Sequence, residues 1–301
     1  MMNEFFMNLQ EPVFRPPREH DALIVQATSG CSRNSCLFCA MYKAKKFRAK
    51  KPAEIEAEIV SVPAPFRGGV SKIFLADGNA FCLESSDLLE IAAIFKKYFV
   101  NNRFISVYAN PLDITAKSPE ELKALRAAGY KNLYIGLESG SDRVLHTMKK
   151  AGSFKDSERA MNMAHEAGFV LSVTILLGIG GKKYRGEHAA ESARLIDACA
   201  PRFVSTLTTT LYEGAPLYNM VKTGEFEMPE NCDIIEEHYN FIEAINADRI
   251  IYRSNHVSNF IGLEGVLSRD KKNLLHTLSR FKEVNSGNNF IKLKTGGNYE
   301  I

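Results

Sequence analysis

The chain has 301 residues, 45% of them hydrophobic, and a formal net charge of +3. That is enough to bury a large core in one domain and too little charge to imply nucleic acid by itself. No apolar run reaches the roughly eighteen residues of a membrane span, and the opening MMNEFFMNLQEPVFRPPREH lacks the basic-then-apolar order of a secretory signal. Six cysteines, three of them clustered, fit a reducing compartment rather than a disulfide framework, so a soluble cytoplasmic protein is expected.

Short β-rich runs alternate with longer helical patterns, the mark of parallel strands joined by crossover helices. Strand one is expected at 22–28 (ALIVQAT), followed by the cysteine loop TSGCSRNSCLFCAMY and a basic run at 43–51. A helical pattern, AEIEAEIVSV, follows Pro52 and leads to strand two at 72–77. The helix SSDLLEIAAIFKKYF opens on serines read as caps, and strand three follows at 103–109. In SPEELKALRAAG, Ser118 is the expected N-cap, Pro119 the first helical residue and Gly129 the stop. Strand four at 132–138, a helix ending at Gly168, strand five at 169–177 and strand six at 202–210 complete the pattern. Six β/α units predict an α/β fold, a partial (β/α)6 TIM-like barrel over residues 1–220 with its core at about 20–220. Residues 221–301 read as a helical C-terminal extension packing on the substrate side of the barrel. It holds one helix at 234–252, the polar loop RSNHVSNFIGLEG, a second helix at 271–284 and a Gly/Asn-rich end expected to be partly disordered.

Cys31, Cys36 and Cys39 present three thiols within nine residues and no fourth. Structural zinc sites are closed by four ligands, whereas iron–sulfur clusters are held by thiolates, and a cubane on three cysteines keeps one iron open. Ligands of α/β barrels bind beyond the C-terminal strand ends. Those ends carry Asp77-Gly78-Asn79, Asn110-Pro111, Glu138-Ser139-Gly140, the glycines Gly178, Gly180 and Gly181, and Leu211-Tyr212-Glu213-Gly214. Each alone is ordinary turn chemistry; their coincidence marks one end as the site.

The cysteine loop with its β/α pattern resembles the radical S-adenosylmethionine (SAM) superfamily over about residues 20–220. The family's usual C-x3-C-x2-C is here C-x4-C-x2-C, and the aromatic Phe38 before the third cysteine matches. YIGLESGSDRVLHTMKKAG is similar to the fourth-strand region of the branch holding oxygen-independent coproporphyrinogen oxidases and tRNA methylthiotransferases, and LYEGAPLY resembles that branch's sixth-strand end. The resemblance implies a [4Fe–4S] cluster on Cys31, Cys36 and Cys39, with SAM on the fourth iron. It implies Phe38 near the adenine and the backbone of Asp77, Gly78 and Asn79 at the methionine ammonium. Asn110, Glu138 and Ser139 would accept from ribose hydroxyls or ammonium, and a lysine of the pair 149–150 would hold the carboxylate. Gly178 and Gly180 would let backbone approach the adenine, with Leu211 and Tyr212 packing on it. Reduced by a donor such as flavodoxin or ferredoxin, such an enzyme cleaves SAM and abstracts hydrogen from a small polar or heterocyclic substrate, in lyase, rearrangement or oxidative chemistry.

Three rival readings stand beside this one. A zinc protein would add a distant histidine to the three thiols. A non-enzymatic iron–sulfur carrier would use the cluster alone. An RNA- or tRNA-modifying radical SAM enzyme would lay the basic run at 43–51 on phosphates, with Tyr42 and Phe47 stacking; a solvated or donor-docking basic face is preferred. Cys82, Cys199 and Cys232 are scattered, so no auxiliary-cluster module is expected, and neither is a cobalamin domain before Cys31 nor a C-terminal β-barrel. Substrate contacts are sought at Arg253, Asn255, His256, Ser258 and Asn259, and at Tyr108; the bland reading is helix capping and surface. Cys82 is a candidate hydrogen-atom donor or a small apolar filler. Glu187 and His188 follow the glycine turn and either begin a helix or act in catalysis.

Overall fold

The structure, a computed structural model, describes residues 7–285. These fall into two compact bodies: the first takes residues up to 34, 41–135 and 159–171, the second 35–40, 136–158 and those from 172 on.

In the first body β1 (Leu23–Gln26) leads into a short antiparallel pair, β2 (Thr28–Ser29) with β3 (Arg48–Ala49), which flanks the cysteine loop. β4 (Lys72–Ala76), β5 (Phe104–Ala109) and β6 (Tyr130–Glu138) follow, residues 136–138 of β6 falling in the second body. β1 pairs with β4, β4 with β5 and β5 with β6, all parallel, with Leu23 opposite Ile73 and Ile73 opposite Ile105. Helices Pro52–Ser61, Ser85–Tyr98 and Pro119–Ala128 make the crossovers. β1 is buried along its whole length and is apolar from Leu23 to Val25, as a strand covered on both faces should be, while its last residue, the buried Gln26, donates to Asp77. Leu88, Ile91, Ala92 and Phe95 form the buried stripe of the second crossover helix. Its opening serines are not caps: Ser85 and Ser86 lie inside the first turn, Glu84 is the N-cap without a side-chain bond, and Asp87 in that turn faces the positive helix end. Ser118 does cap its helix, in a reciprocal box with Glu121, and Gly129 ends it.

In the second body β7 (Val170–Leu177, from residue 172) pairs parallel with β8 (Phe203–Thr208), Val173 opposite Val204. The extension contains helices Asn231–Ala244 and Leu267–Asn285 and adds two strands, β9 (Ile251–Arg253), parallel to β8, and β10 (Glu264–Val266), antiparallel to β9. The expected helix at 234–252 therefore stops early. Asp197 Oδ1, on helix Gly181–Cys199, accepts from Asn246 N at 2.7 Å and Ala247 N at 2.8 Å, so those donors serve a carboxylate instead of a helical turn. The Gly/Asn-rich end lies outside the described residues beyond Asn285.

The β/α order is that of the expected partial (β/α)6 TIM-like barrel. Ala22, Ile24, Phe74, Ala76 and Tyr134 form a buried cluster in the first body; Val144, Met148, Ile179, Leu217, Phe226 and Met228 form one in the second. Among the described residues no helix is long and apolar enough to cross a membrane.

Candidate functional site

In the first body Cys31 follows β2 and meets the turn after β4. A Cβ added at Gly78 would lie 2.7 Å from the Tyr42 ring and 2.9 Å from Cys31 Cβ, so only glycine lets this backbone run flush against the first cysteine. Gly78 N donates to Gly30 O at 3.2 Å. Next to it, Asn79 Nδ2 donates to Ser32 Oγ at 2.8 Å and Asp113 Oδ2 at 2.5 Å, and Arg33 pairs with Asp113 at 3.0 Å. Asn79 Oδ1 is buried with no protein partner. Burial pushes the Cys82 thiol above its usual pKa, against a hydrogen bond with Ser32; it is a neutral thiol beside the residue that follows Cys31.

The side chains of three first-body candidates are engaged within the fold. Asn110 Oδ1 accepts from Leu112 N at 3.0 Å as the N-cap of helix Pro111–Thr115, so its acceptor serves the fold. The Asp77 carboxylate is wholly buried and takes Gln26 Nε2, Gly30 N and Lys45 Nζ on Oδ2. Tyr108 packs edge-on against Phe74, ring centroids 4.9 Å apart, and its phenol is pushed up by burial and by Asp77 and Glu19.

In the second body the main chain of Leu37 is held on both sides: its N donates to Met148 O at 3.0 Å and its O accepts from Leu217 N at 2.9 Å. That fixes the stretch carrying Cys36 and Cys39, both half-buried thiols like Cys31. Phe38 and Leu211 pack on the same apolar cluster as Ile179, the residue between Gly178 and Gly180. Three segments far apart in sequence, each expected to touch adenine, thus meet in one patch. Tyr212 is half-buried beside Leu211.

Glu138 has a left-handed backbone, φ 66°, and its carboxylate folds back over Gly136 to within 3.6 Å of Lys150 Nζ. Burial pushes that carboxyl up, against the pull of Lys150. Lys149 instead gives its carbonyl to Ser35 Oγ. Ser139 is turned inward, Oγ 2.8 Å from His188 Nδ1 and accepting from Ser141 N, so its hydroxyl is used within the loop. His188 lies in the middle of helix Gly181–Cys199 and does not begin it; burial lowers its pKa to about 4. Glu187 accepts from Ser141 Oγ at 2.6 Å.

Glu237 was not foreseen. It comes from helix Asn231–Ala244, is buried, and accepts from Gly178 N at 2.7 Å. Its Oε1 stands 3.5 Å from His188 Nε2, its Oε2 has no partner, and burial pushes its carboxyl up to about 8. The signal was present in the sequence: Glu237 and His238 fall on the stripe of Ile234, Ile235, Phe241 and Ile242, where solvent-facing residues do not belong.

Of the substrate candidates, Asn259 is consumed by the fold: Nδ2 donates to Thr206 O and Ser254 O, both at 2.7 Å, and Oδ1 accepts from Thr208 Oγ1 at 2.9 Å. Ser258 Oγ accepts from Thr208 N at 3.1 Å. His256 and Asn255 are exposed and Arg253 is half-buried in β9. Three of the six cations in the basic run stand in ion pairs: Lys45 with Asp77 at 2.9 Å, Lys50 with Glu58 at 2.6 Å, and Arg48 with Glu54. Among the described residues no three His, Cys, Asp or Glu side chains already stand grouped around a metal position.

A family model described as the radical SAM superfamily matches residues 25–195. A protein of Mycobacterium tuberculosis named heme chaperone HemW is 25% identical over 198 residues, covering 64% of this chain and 48% of that protein. The chain thus spans about half the length of the curated relatives it matches. Coproporphyrinogen III oxidase HemN from Escherichia coli, described as a radical SAM enzyme, superposes with a TM-score of 0.55 at 18% identity over 73% of this chain and 52% of its own. Methylornithine synthase PylB gives 0.51 at 17% identity over 87% and 81%. At these identities the two structures share the fold alone.

Proposed function

The chain belongs to the radical SAM superfamily, and on that footing we propose that it is an enzyme using a [4Fe–4S] cluster and SAM to abstract hydrogen from a small polar or heterocyclic substrate. The residues present fit those groups. Three half-buried thiols lie on one loop, a donor set suited to a cluster with one open iron. Asn79 keeps a buried oxygen without a protein partner, an acceptor for an ammonium. The observation that carries the reading is the apolar patch where Phe38, Ile179 and Leu211 meet, beside the anchored stretch that bears Cys36 and Cys39.

When bound, cluster and SAM supply reductive C–S cleavage and hydrogen abstraction, with an electron from a flavodoxin- or ferredoxin-like donor. The protein's part is to bind and orient. Cys31, Cys36 and Cys39 hold the cluster. Phe38, Ile179 and Leu211 would cover the adenine and exclude water, with Gly180 as the backbone approach, since Gly178 N is held by Glu237. Glu138, steadied by Lys150, accepts from the ribose hydroxyls. Arg253 and Asn255 remain the candidate substrate contacts. Tight positioning matters because a carbon radical attacks most C–H bonds within reach.

The name of the relatives supports a second reading, haem handling, which a haem titration of the reconstituted protein separates from the first. Anaerobic reconstitution with iron and sulfide, then dithionite and SAM, should yield 5′-deoxyadenosine by mass spectrometry, and Cys36→Ala should abolish it. Absence of that product from cluster-replete protein, with a stoichiometric haem band in its place, would favour the second reading.

A further inference from the structure

The basic run at 43–51 contributes one residue to the interior. Lys45 is 6% exposed and its Nζ reaches Asp77 Oδ2 at 2.9 Å, Pro12 O at 2.5 Å and Gln10 O. The same Asp77 oxygen accepts from Gly30 N at 3.0 Å and from Gln26 Nε2 at 3.0 Å. Gly30 immediately precedes Cys31, and Lys45 lies six residues beyond Cys39. One carboxylate oxygen therefore gathers both ends of the cysteine loop. The ends also touch: at Gly30, φ +73°, an added Cβ would lie 3.2 Å from Lys45 O and 3.3 Å from Lys45 Cβ.

Between Cys31 and Phe47 there is no helix or strand, so no repeating backbone ladder sets the shape of this loop. Isolated contacts do so: the main chain of Leu37 is held at the middle, and the ends are held at the base. A buried ion pair is a poor device for stability, since apolar residues of the same volume serve as well or better. It is a good device for fixing one arrangement, because each displaced partner leaves a buried charge unpaired.

We infer that Asp77 and Lys45 form a buried clasp across the base of the cysteine loop, positioning residues that hold 31–44 in the shape that receives the cluster. This role rests on the cluster assignment for what is received. It accounts for a basic residue that neither phosphate binding nor donor docking explains, and for an aspartate at a position where only backbone was expected to matter.

The test uses the full chain, first purified without iron. Lys45→Met and Asp77→Asn each strand one charge; the double variant strands none and keeps the volume. Hydrogen exchange read by mass spectrometry should show 31–44 opening about tenfold faster in the double variant, with helix Gly181–Cys199 at the wild-type rate. After reconstitution, a chelator should strip iron from the double variant about tenfold faster than from wild type. Wild-type exchange across 31–44 in the double variant would overturn the clasp, as would acceleration spread evenly over the chain. A wild type that takes up no iron would refute the cluster assignment instead, while the iron-free exchange data would still decide whether the clasp exists.

Discussion

Gly78 shows how much a missing side chain can matter. Alanine there would place a methyl carbon 2.7 Å from Tyr42 and 2.9 Å from Cys31, closer than packed carbons tolerate. Gly78→Ala should cost about 1–3 kcal/mol, as overpacking does, and should lower iron uptake on reconstitution more than Gly186→Ala, where an added Cβ meets nothing within 4 Å. Equal iron uptake by the two variants would show that Cys31 does not need that surface. At this scale the sequence revealed residue types better than residue duties. Cys31, Cys36, Cys39, Phe38 and Gly78 could be singled out because their chemistry is scarce or their geometry special. Asn110, Ser139 and Asn259 looked like ligand contacts, yet their polar atoms bond to Leu112 N, His188 and Thr206 O. A polar side chain near a strand end serves the backbone or the ligand, and spacing alone does not say which.

Elements were legible where local chemistry decides them. All six strand runs appear within a few residues of their expected bounds, and Ser118, Pro119 and Gly129 mark a helix as they should. Replacing Ser118 with alanine removes the acceptor for Glu121 N and should cost about 1 kcal/mol, read as a lower midpoint in chemical denaturation with an unchanged slope. The helix end at Ala244 was not legible, because its cause, Asp197, lies on another helix. Asp197→Ala strips both Asn246 N and Ala247 N of their acceptor and should destabilise by about 0.5–1.5 kcal/mol, since both amides lie near solvent. It should also speed exchange of those two amides. Unchanged exchange there would mean that water serves them as well.

At the scale of the molecule, the buried titratable groups of the second body govern pH stability. His188 and His238 are held by burial at about 4 and about 3, below the ordinary 6.5. The unfolded chain takes up their protons first, so the stability they confer is complete above about 6.5 and is lost as pH falls towards 4 and 3. Glu237 works in the opposite direction: raised from 4.5 to about 8, it favours the folded state fully below 4.5 and loses that contribution as pH rises through 8. Glu237→Gln keeps an acceptor for Gly178 N and removes the ionisation. Its Tm should exceed that of wild type more at pH 9 than at pH 5; a pH-independent difference would show that Glu237 does not titrate in the folded chain. The apolar stripe of Ile234, Ile235, Phe241 and Ile242 marks Glu237 and His238 as buried, but the direction of each shift depends on the partners that packing supplies or withholds.

The claim on which the rest depends is that Cys31, Cys36 and Cys39 hold a cluster with an iron open to SAM. Electron paramagnetic resonance of the anaerobically reconstituted, dithionite-reduced protein, recorded with and without SAM beside an iron and sulfide count, tests it directly. About four irons and four sulfides per chain, with a signal that shifts when SAM is added, are predicted. Zinc in place of iron, or a cluster signal that SAM leaves unchanged, would contradict it.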